Sequence, residues 1–297
     1  MNGILLVDKP AGLTSHDVVD RIRRAAGMRR VGHTGTLDPA ATGLLILCLG
    51  PATRLSEFLT GLDKVYEGTM RLGLTTDSYD LDGKVVAEKP VPPVTAERIQ
   101  SIFDTMTGTI MQVPPMVSAV KVGGERLYKM ARKGVVVERE PRPVTIREFT
   151  LLELAPPDVQ FRVRCTRGTY ARSLCHDVGE LLGCGAALAA LRRTFVGPHS
   201  VDTAKPVEYF QNPESVRSCL LNVDSALELP QVTVRRSSRP MVSSGGLLGI
   251  DDLTAPCPVQ DGWIQVKSEA GELLALGEVH LSCGQVRIQP KRVLCEK

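Results

Sequence analysis

The hydrophobic pattern changes near residues 225–230, and this change limits the folds open to the chain. Before it, segments with helical spacing of apolar residues alternate with strand-like segments; after it, short strand-like segments are separated by Gly, Pro and Ser. That order is typical of an α+β body followed by a compact β-module. We therefore expect a body at residues 1–227 and a small β-barrel or sandwich at residues 228–297.

Local signals predict the individual elements. A strand at Ile4–Val7 precedes a helix for which Ser15 is a plausible N-cap, and the apolar run Leu44–Leu49 predicts another strand. Further strands are expected at 65–74, 84–87 and 159–167, and helices at 54–62, 95–107 and 169–182. Strands of the C-terminal module are expected at 231–236, 243–249, 262–268, 273–280 and 285–294.

The composition excludes several classes of protein. With 43% hydrophobic and 23% charged residues, the chain has the mix of an ordinary globular protein. No apolar run approaches the roughly 18 residues of a membrane helix, and the N-terminus lacks the basic region of a secretory signal. Eight cysteines without a CxxC pair fit neither a zinc site nor a redox pair. We expect a reduced, cytoplasmic protein.

Basic residues are concentrated in two stretches, although the net charge is only +3. Residues 21–30 contain five arginines and no acid, and residues 121–147 contain eight basic residues against three acids. Local basic patches on a nearly neutral chain are one way to bind a polyanion. Each stretch taken alone is equally consistent with a solvated face.

The loop Gly32–Pro39 is the first candidate site. Its glycines let the backbone approach a ligand closely, and Asp38 stands directly before a proline. A carboxylate displayed from such a loop suits catalysis, but composition alone favours an Asx-turn that merely closes the loop. The loop fits neither a Walker nor a GxGxxG pattern, no Gly-x-Ser-x-Gly occurs, and the five histidines are too scattered to suggest a metal.

The segment 167–172 is the second candidate, because it lies where an arginine-lined strand turns into a helix. Arg172 could orient a carboxylate by pairing with it, or form a surface ion pair of little consequence. Tyr66 begins an alternating strand, where it could stack on a base or belong to the core. Only 4% of residues are aromatic, so a broad stacking surface is not available.

At these residues the sequence resembles a known family. The segments GILLVDKPAGLTSHDVV, RRVGHTGTLDPAATGLLILCLGPATR, KVYEGTMRLGLTTDSYDLDG, PPMVSAVKVGGERLYKMARKG and RCTRGTYARSLCHDVGELLG resemble, in order, the motifs of bacterial tRNA pseudouridine-55 synthases of the TruB class. The resemblance covers most of residues 3–197. It implies a pseudouridine synthase fold, with a mixed, largely antiparallel central sheet flanked by helices, and a C-terminal PUA-like barrel that binds RNA.

The resemblance also implies a reaction. The family converts uridine to pseudouridine at position 55 in the T-loop of tRNA, by breaking the bond between ribose C1′ and N1 and rejoining the base through C5. No cofactor or metal is implied, and the stacked uridine must be flipped out first. By its match to the motif, Asp38 is the catalytic aspartate; it acts as nucleophile on the sugar or as base toward the 2′ hydrogen, and the sequence does not choose between them.

The remaining site residues carried over from the family are expected to bind or orient the substrate. Tyr66 stacks on the flipped base and helps to remove the C5 proton, and Arg172 pairs with Asp38. Tyr170 lines the same pocket and Leu191 packs beside the uracil. His33 enters the RNA loop, and Lys9 has a structural role near the site.

The implied partner is tRNA, contacted at its T stem-loop by the two basic stretches and at its acceptor stem by the C-terminal module. We expect a monomer with no obligate protein partner and no membrane association. Two alternatives remain: a guide-dependent subunit of a ribonucleoprotein, and an RNA-binding or chaperone protein in which Asp38 is only structural.

Overall fold

The computed structural model describes residues 1–118, 120–127, 130, 135, 137–224, 227, 229–255, 260–282 and 285–295. The strands before residue 228 are β1 Gly3–Lys9, β2 Val31–His33, β3 Thr42–Leu49, β4 Lys64–Leu72, β5 Leu74–Thr76, β6 Val85–Glu88, β7 Gly108–Gln112, β8 Lys121–Val122, β9 Glu125–Arg126, β10 Arg142–Ala155, β11 Asp158–Cys165, β12 Ala186–Val196, β13 His199–Ser200 and β14 Lys205–Pro206. The α-helices there are α1 Ser15–Ala26, α2 Ser56–Gly61, α3 Ala96–Thr105, α4 Ala171–Leu182 and α5 Pro213–Ser218.

Ten of these strands form one mixed sheet. Its order is β14-β1-β3-β12-β4-β11-β10-β7, with β2 added beside β3 and β13 beside β12. The pairs β1–β14 and β3–β12 are parallel, and every other pair in this sheet is antiparallel. The expected mixed, largely antiparallel sheet is therefore confirmed.

The sheet is covered on both faces around β1 and β3. Ile4 and Leu6 pack into a cluster that includes residues of α2, whereas Leu5 and Val7 pack against α1 on the other face. A strand buried on both sides needs apolar residues at every position rather than at alternate ones. This explains why β1 and β3 are nearly continuous apolar runs.

Helix α1 begins one residue earlier than the sequence suggested. The N-cap is Thr14, whose hydroxyl accepts a hydrogen bond from the Asp17 N–H, and the Asp17 carboxylate accepts one from the Thr14 N–H. Ser15 is therefore not the cap but the first helical residue. Gly27 ends the helix in a left-handed conformation, which glycine adopts without steric cost.

Two other predicted helices are shorter than expected. In place of one helix at 54–62, a 3₁₀ helix covers Gly50–Leu55 and the six residues of α2 follow it. Helix α4 begins at Ala171 rather than at residue 169, because Tyr170 is still extended. Helix α3 confirms its prediction, with Thr95 as the N-cap accepting from the Arg98 N–H.

The C-terminal segment contains α6 Arg239–Ser244 and the strands β15 Gln231–Thr233, β16 Gly262–Lys267, β17 Leu273–Ser282 and β18 Gln285–Val293. They form a four-stranded sheet in the order β15-β16-β17-β18. In the described ranges this sheet does not close, so the expected barrel is not confirmed. The strand expected at 243–249 is wrong: α6 occupies its start, Gly245 turns the chain, and only Leu248 forms an isolated bridge, to Ile288.

The C-terminal sheet packs on the same side of the body as α2. The rings of Phe58 and Trp263 meet edge to face with centroids 4.6 Å apart, and Arg292 forms an ion pair of 2.8 Å with Glu57. Leu276 lies in the same apolar cluster as β1 and α2. None of the helices in the described part of the chain is long and apolar enough to span a bilayer.

Candidate active site

Asp38 lies in the loop that connects β2 to β3, and the backbone of this loop is held from several directions. The Leu37 N–H donates to the Ser15 hydroxyl at 2.9 Å, and that hydroxyl donates to the Leu37 carbonyl at 3.1 Å. The Pro39 carbonyl accepts from the Lys9 ammonium at 3.1 Å and from the Gly12 N–H at 2.9 Å. The first turn of α1 and the end of β1 thus fix the backbone on both sides of Asp38.

A buried guanidinium lies opposite the Asp38 loop. Arg172, in the first turn of α4, has a side chain only 4% exposed, and its Nη2 atom lies 3.1 Å from the Asp38 carboxylate. Its Nη1 atom lies 3.2 Å from a second carboxylate, Asp80, and the guanidinium also donates to the carbonyls of Ser78 and Val117 at 3.3 and 2.8 Å. With one cation shared between two carboxylates, the orientation of Arg172 is defined.

The loop that carries Asp80 is itself constrained. Tyr79 has a left-handed backbone (φ 65°), which is uncommon for a residue with a side chain. Its ring stacks on His176 of α4 with centroids 4.0 Å apart and an angle of 9° between the planes. The Ser78 hydroxyl donates to the Asp80 carboxylate. These contacts hold Asp80 against the helix that carries Arg172.

A cavity of about 270 Å³ opens beside the ion pair, and it brings together five of the seven residues expected from the sequence. They reach it from four different elements of the fold. Its lining includes Asp38, Tyr66, Tyr170, Arg172 and Leu191.

Tyr66 and Leu191 reach this cavity from neighbouring strands. Tyr66 is on β4 and pairs across the sheet with Arg193 of β12, and Leu191 of the same strand pairs with Gly68. A Cβ atom at Gly68 would lie 2.7 Å from the Phe161 ring, so glycine is required where this ring crosses the strand. Tyr170, just before α4, is fixed by the Gln112 side chain, which bonds both its N–H (2.8 Å) and its carbonyl (3.1 Å).

Burial and neighbouring charges oppose each other at Asp38. Removal of the carboxylate from water raises its pKa, and the Asp80 carboxylate adds to this, whereas the Arg172 guanidinium and the Lys9 ammonium lower it. The side chain is nevertheless 45% exposed, because it faces the open cavity. A carboxylate in contact with both a cation and a cavity can react with a molecule that enters.

The two tyrosines are neutral phenols in this environment. Burial raises the pKa of Tyr66, and the Arg193 guanidinium partly opposes this rise. Burial likewise raises the pKa of Tyr170, and the positive charge of Arg172 partly opposes this rise. Both rings therefore offer an apolar face together with a hydroxyl that is not ionised at neutral pH.

Lys9 and His33, the other two expected site residues, do not line the cavity. Lys9 is completely buried; its ammonium donates to the carbonyls of Pro10 and Pro39, and desolvation lowers its pKa to about 8. His33 ends β2, and burial lowers its pKa. Its Nδ1 atom is buried and has no hydrogen-bond partner among the described residues.

The arginines of the two basic stretches differ in how far they are bonded within the protein. Arg23 bonds Asp20 and the Val31 carbonyl, whereas Arg29 and Arg30 are exposed in the segment between α1 and β2, where Arg30 donates to the Thr53 hydroxyl at 2.7 Å. In the second stretch, Arg147 forms an ion pair of 3.3 Å with Asp63. Three further members of that stretch fall outside the described residues, namely Lys129, Arg132 and Lys133.

Three residues that local sequence patterns did not identify are brought to this site by the fold. Ser15 was interpreted only as a cap, and neither Asp80 nor Arg193 was singled out. A carboxylate in a loop rich in Asp, Ser and Gly was the available signal for Asp80, but no spacing in the chain predicts its contact with Arg172. Among the described residues no group of three or more His, Cys, Asp or Glu side chains is arranged to bind a metal ion.

The fold and this site together define a pseudouridine synthase. A model of the TruB family pseudouridylate synthase N-terminal domain matches residues 23–171, and a model of the tRNA pseudouridylate synthase B C-terminal domain matches residues 172–228. The chain therefore belongs to the TruB family of pseudouridylate synthases.

Individual relatives agree with this family. The tRNA pseudouridine synthase B of Opitutus terrae is 57% identical over 194 residues, which are 65% of this chain and 80% of that protein. The tRNA pseudouridine synthase B of Pseudomonas aeruginosa is 39% identical over 301 residues, covering 99% of this chain and 96% of that protein. Among solved structures, a Cbf5-Nop10-Gar1 complex contains a chain with a TM-score of 0.76 and 28% identity, covering 99% of this chain and 85% of that one.

Proposed function

We propose that this protein converts uridine to pseudouridine at position 55 in the T-loop of tRNA. The observation that carries the proposal is the Asp38 carboxylate, paired with the buried Arg172 at the edge of a cavity that Tyr66, Tyr170 and Leu191 also line. Relatives named tRNA pseudouridine synthase B, at 39–57% identity, support the same activity.

The reaction is an isomerisation within one nucleoside. The bond between C1′ and N1 breaks, the uracil turns, and C1′ rejoins it at C5; C5 then loses its proton and N1 gains one. The Asp38 carboxylate attacks C1′ or removes the 2′ hydrogen, and both roles require its ionised form. Arg172 favours that form and fixes the direction of the carboxylate, which is the positioning that such a step requires.

The walls of the cavity suit a flipped uracil. Tyr66 offers a ring face for stacking, Leu191 an apolar contact on the adjacent strand, and Tyr170 a second ring on a backbone that Gln112 fixes. The Tyr66 hydroxyl, in the same cavity, is the group proposed to assist removal of the C5 proton. Since both phenols are neutral at rest, neither places a second negative charge beside Asp38.

The two expected residues outside the cavity have supporting roles in this proposal. His33 lies on the loop side of β2 and is partly exposed, so it can contact the RNA loop from which the uridine has been extruded. Lys9 keeps the Pro39 carbonyl, and hence the backbone next to Asp38, in position.

The C-terminal residues 228–297 are proposed as a PUA-like RNA-binding module that reaches the acceptor stem. A cleft between this module and the body supports that path, because basic residues line it from both sides. They are Arg30 and Arg54 from the body, and Lys291 and Arg292 from β18. We further propose that the protein acts as a monomer in the cytoplasm without an obligate protein partner.

Tritium release tests the function. The purified chain is incubated with a T-arm stem-loop that carries 5-tritiated uridine, and an Asp38→Asn variant with the same RNA serves as control. We expect release by the wild type only, with similar RNA binding by both proteins. Tight binding without release by the wild type would favour the guide-dependent or chaperone alternative. Equal release by both would show that Asp38 is not the catalytic residue.

A further inference from the structure

Arg193 is a buried cation beside the candidate active site. It lies on β12, its residue is 2% exposed, and it is among the largest buried side chains of the protein. No carboxylate of the described residues lies within ion-pair distance of its guanidinium. The side chain instead donates to three backbone carbonyls: Leu44 at 2.7 Å, Gly35 at 3.1 Å and Thr36 at 3.4 Å.

These three carbonyls belong to the two segments that flank Asp38. Gly35 and Thr36 precede it in the loop, and Leu44 follows it on β3. A guanidinium carries its donors in a rigid planar fork, so one side chain can bond carbonyls from both segments in a fixed geometry. A cation without a partner is costly to bury. The dipoles of these three carbonyls must therefore stabilise the positive charge that a carboxylate would otherwise neutralise.

Arg193 is also the cross-strand neighbour of Tyr66. Arg193 and Tyr66 are directly paired residues of β12 and β4, which puts their side chains on one face of the sheet. Both residues also line the cavity, and the positive charge of Arg193 acts to lower the pKa of the Tyr66 phenol against the larger effect of burial. Arg193 is therefore common to the loop that carries the carboxylate and to the aromatic wall of the cavity.

We propose that Arg193 is a positioning residue for the isomerisation: its guanidinium holds the Asp38 loop through the backbone on both sides of Asp38 and places a positive charge beside Tyr66 in the wall of the cavity. This role rests on the function proposed above. It differs from that of Arg172, which contacts the Asp38 carboxylate itself.

The test uses Arg193→Met and Arg193→Lys, with Arg192→Met as the matched control. Arg192 is the neighbouring residue, but its side chain is 43% exposed and pairs with Asp8 at 2.8 Å. Single-turnover tritium release and T-arm binding are measured for each protein. The ionisation of Tyr66 is followed by tyrosinate absorbance, with a Tyr66→Phe variant subtracted.

We expect Arg193→Met to slow single-turnover release by about 100-fold, the size of effect that misplaced reacting groups produce, with RNA binding changed by less than about threefold. Tyr66 should ionise at higher pH in this variant, because the cation that favours its phenolate is gone. A merely structural contact would lower stability without moving this titration. The control Arg192→Met should match the wild type in both measurements.

Arg193→Lys keeps the inference testable if the methionine variant does not fold. Lysine retains the charge but cannot bond both flanking segments at once, so release should still slow, by about tenfold, while the Tyr66 titration stays near that of the wild type. Wild-type release rates in either folded variant, or an unmoved Tyr66 titration in Arg193→Met, would overturn the inference. Absence of release by the wild type itself would instead overturn the proposed function.

Discussion

Gly43, near the start of β3, offers a stability test whose size follows from local geometry. Its backbone is left-handed (φ 103°), and a Cβ atom there would lie 2.3 Å from the Arg193 carbonyl oxygen and 2.7 Å from the Arg193 nitrogen. Both contacts are with backbone of the adjacent strand β12, so no side-chain rotation can relieve them. The substitution Gly43→Ala must therefore move the strands apart or strain the chain.

Two costs add at this position. A residue with a side chain in this backbone conformation costs about 1–3 kcal/mol. Overpacking against an immovable neighbour costs about another 1–3 kcal/mol. Alanine also restricts the unfolded chain, which raises the free energy of unfolding by about 0.4–1 kcal/mol. We expect Gly43→Ala to lower the free energy of unfolding by about 2–5 kcal/mol.

Gly27→Ala provides the control. Gly27 is also left-handed (φ 62°), at the end of α1, but nothing lies within 4 Å of a Cβ atom built there. Only the conformational cost applies, about 1 kcal/mol after the unfolded-state gain. Urea denaturation of both variants and the wild type gives the comparison, with unchanged slopes confirming that the midpoints report stability.

A functional measurement accompanies the stability measurement. Because Gly43 packs against the backbone of Arg193, displacement of β12 should also slow tritium release by Gly43→Ala, whereas Gly27→Ala should release tritium at the wild-type rate. Equal destabilisation of the two variants would refute the reasoning, since it would mean that the close approach of β3 and β12 contributes nothing.

Three further predictions concern charge. Arg172→Met should slow tritium release and move the acidic limb of its pH profile to higher pH, because Arg172 lowers the Asp38 pKa that burial raises. The Lys9 pKa is about 8 in the folded protein and about 10.5 in the unfolded chain, so between these values the unfolded chain binds more protons and wild-type stability rises with pH. Lys9→Met lacks this group. Its deficit in the free energy of unfolding, measured in urea against the wild type, should therefore grow by about 2 kcal/mol between pH 8 and pH 9.5. Arg29→Glu combined with Arg30→Glu should weaken T-arm binding and flatten its salt dependence by roughly one unit of slope per lost phosphate contact.

Each of these predictions has a contradicting result. If the acidic limb of the pH profile does not move in Arg172→Met, the ionisation of Asp38 does not control the rate of tritium release. If the stability difference between Lys9→Met and the wild type does not change with pH, the buried ammonium is not deprotonated between pH 8 and pH 9.5. Unchanged RNA affinity and salt slope in the double arginine variant would identify the segment between α1 and β2 as a solvated surface that does not contact RNA.

Much of the fold could be predicted from local pattern, because periodicity records which faces of an element are buried. The alternation along β11 and the glycine stop after α4 were both visible in the sequence, and both elements are present. Errors occurred where tertiary contacts compete with local preference. Ser15 has the chemistry of an N-cap, but its hydroxyl bonds Leu37 in a distant loop, and the neighbouring Thr14 caps the helix instead.

Five expected site residues line one cavity, and they could be chosen because the family resemblance identified their motifs. Asp80 and Arg193 could not be found in that way, since their importance lies in contacts between residues distant in the chain. Asp80, in a loop, meets Arg172 in the first turn of α4, and Arg193 bonds carbonyls on both sides of Asp38.

The sequence by itself determined many of the strands and helices, the apolar runs of the central strands, and the motifs that place the chain among pseudouridine synthases, but local pattern did not predict strands β7, β10 and β12. The tertiary structure decided which charges meet. The Arg172 guanidinium is shared by two carboxylates, and the Arg193 guanidinium is held by backbone carbonyls. Both arrangements depend on strand pairing and on close approach of backbone segments, which arise from packing of the whole sheet rather than from any local segment.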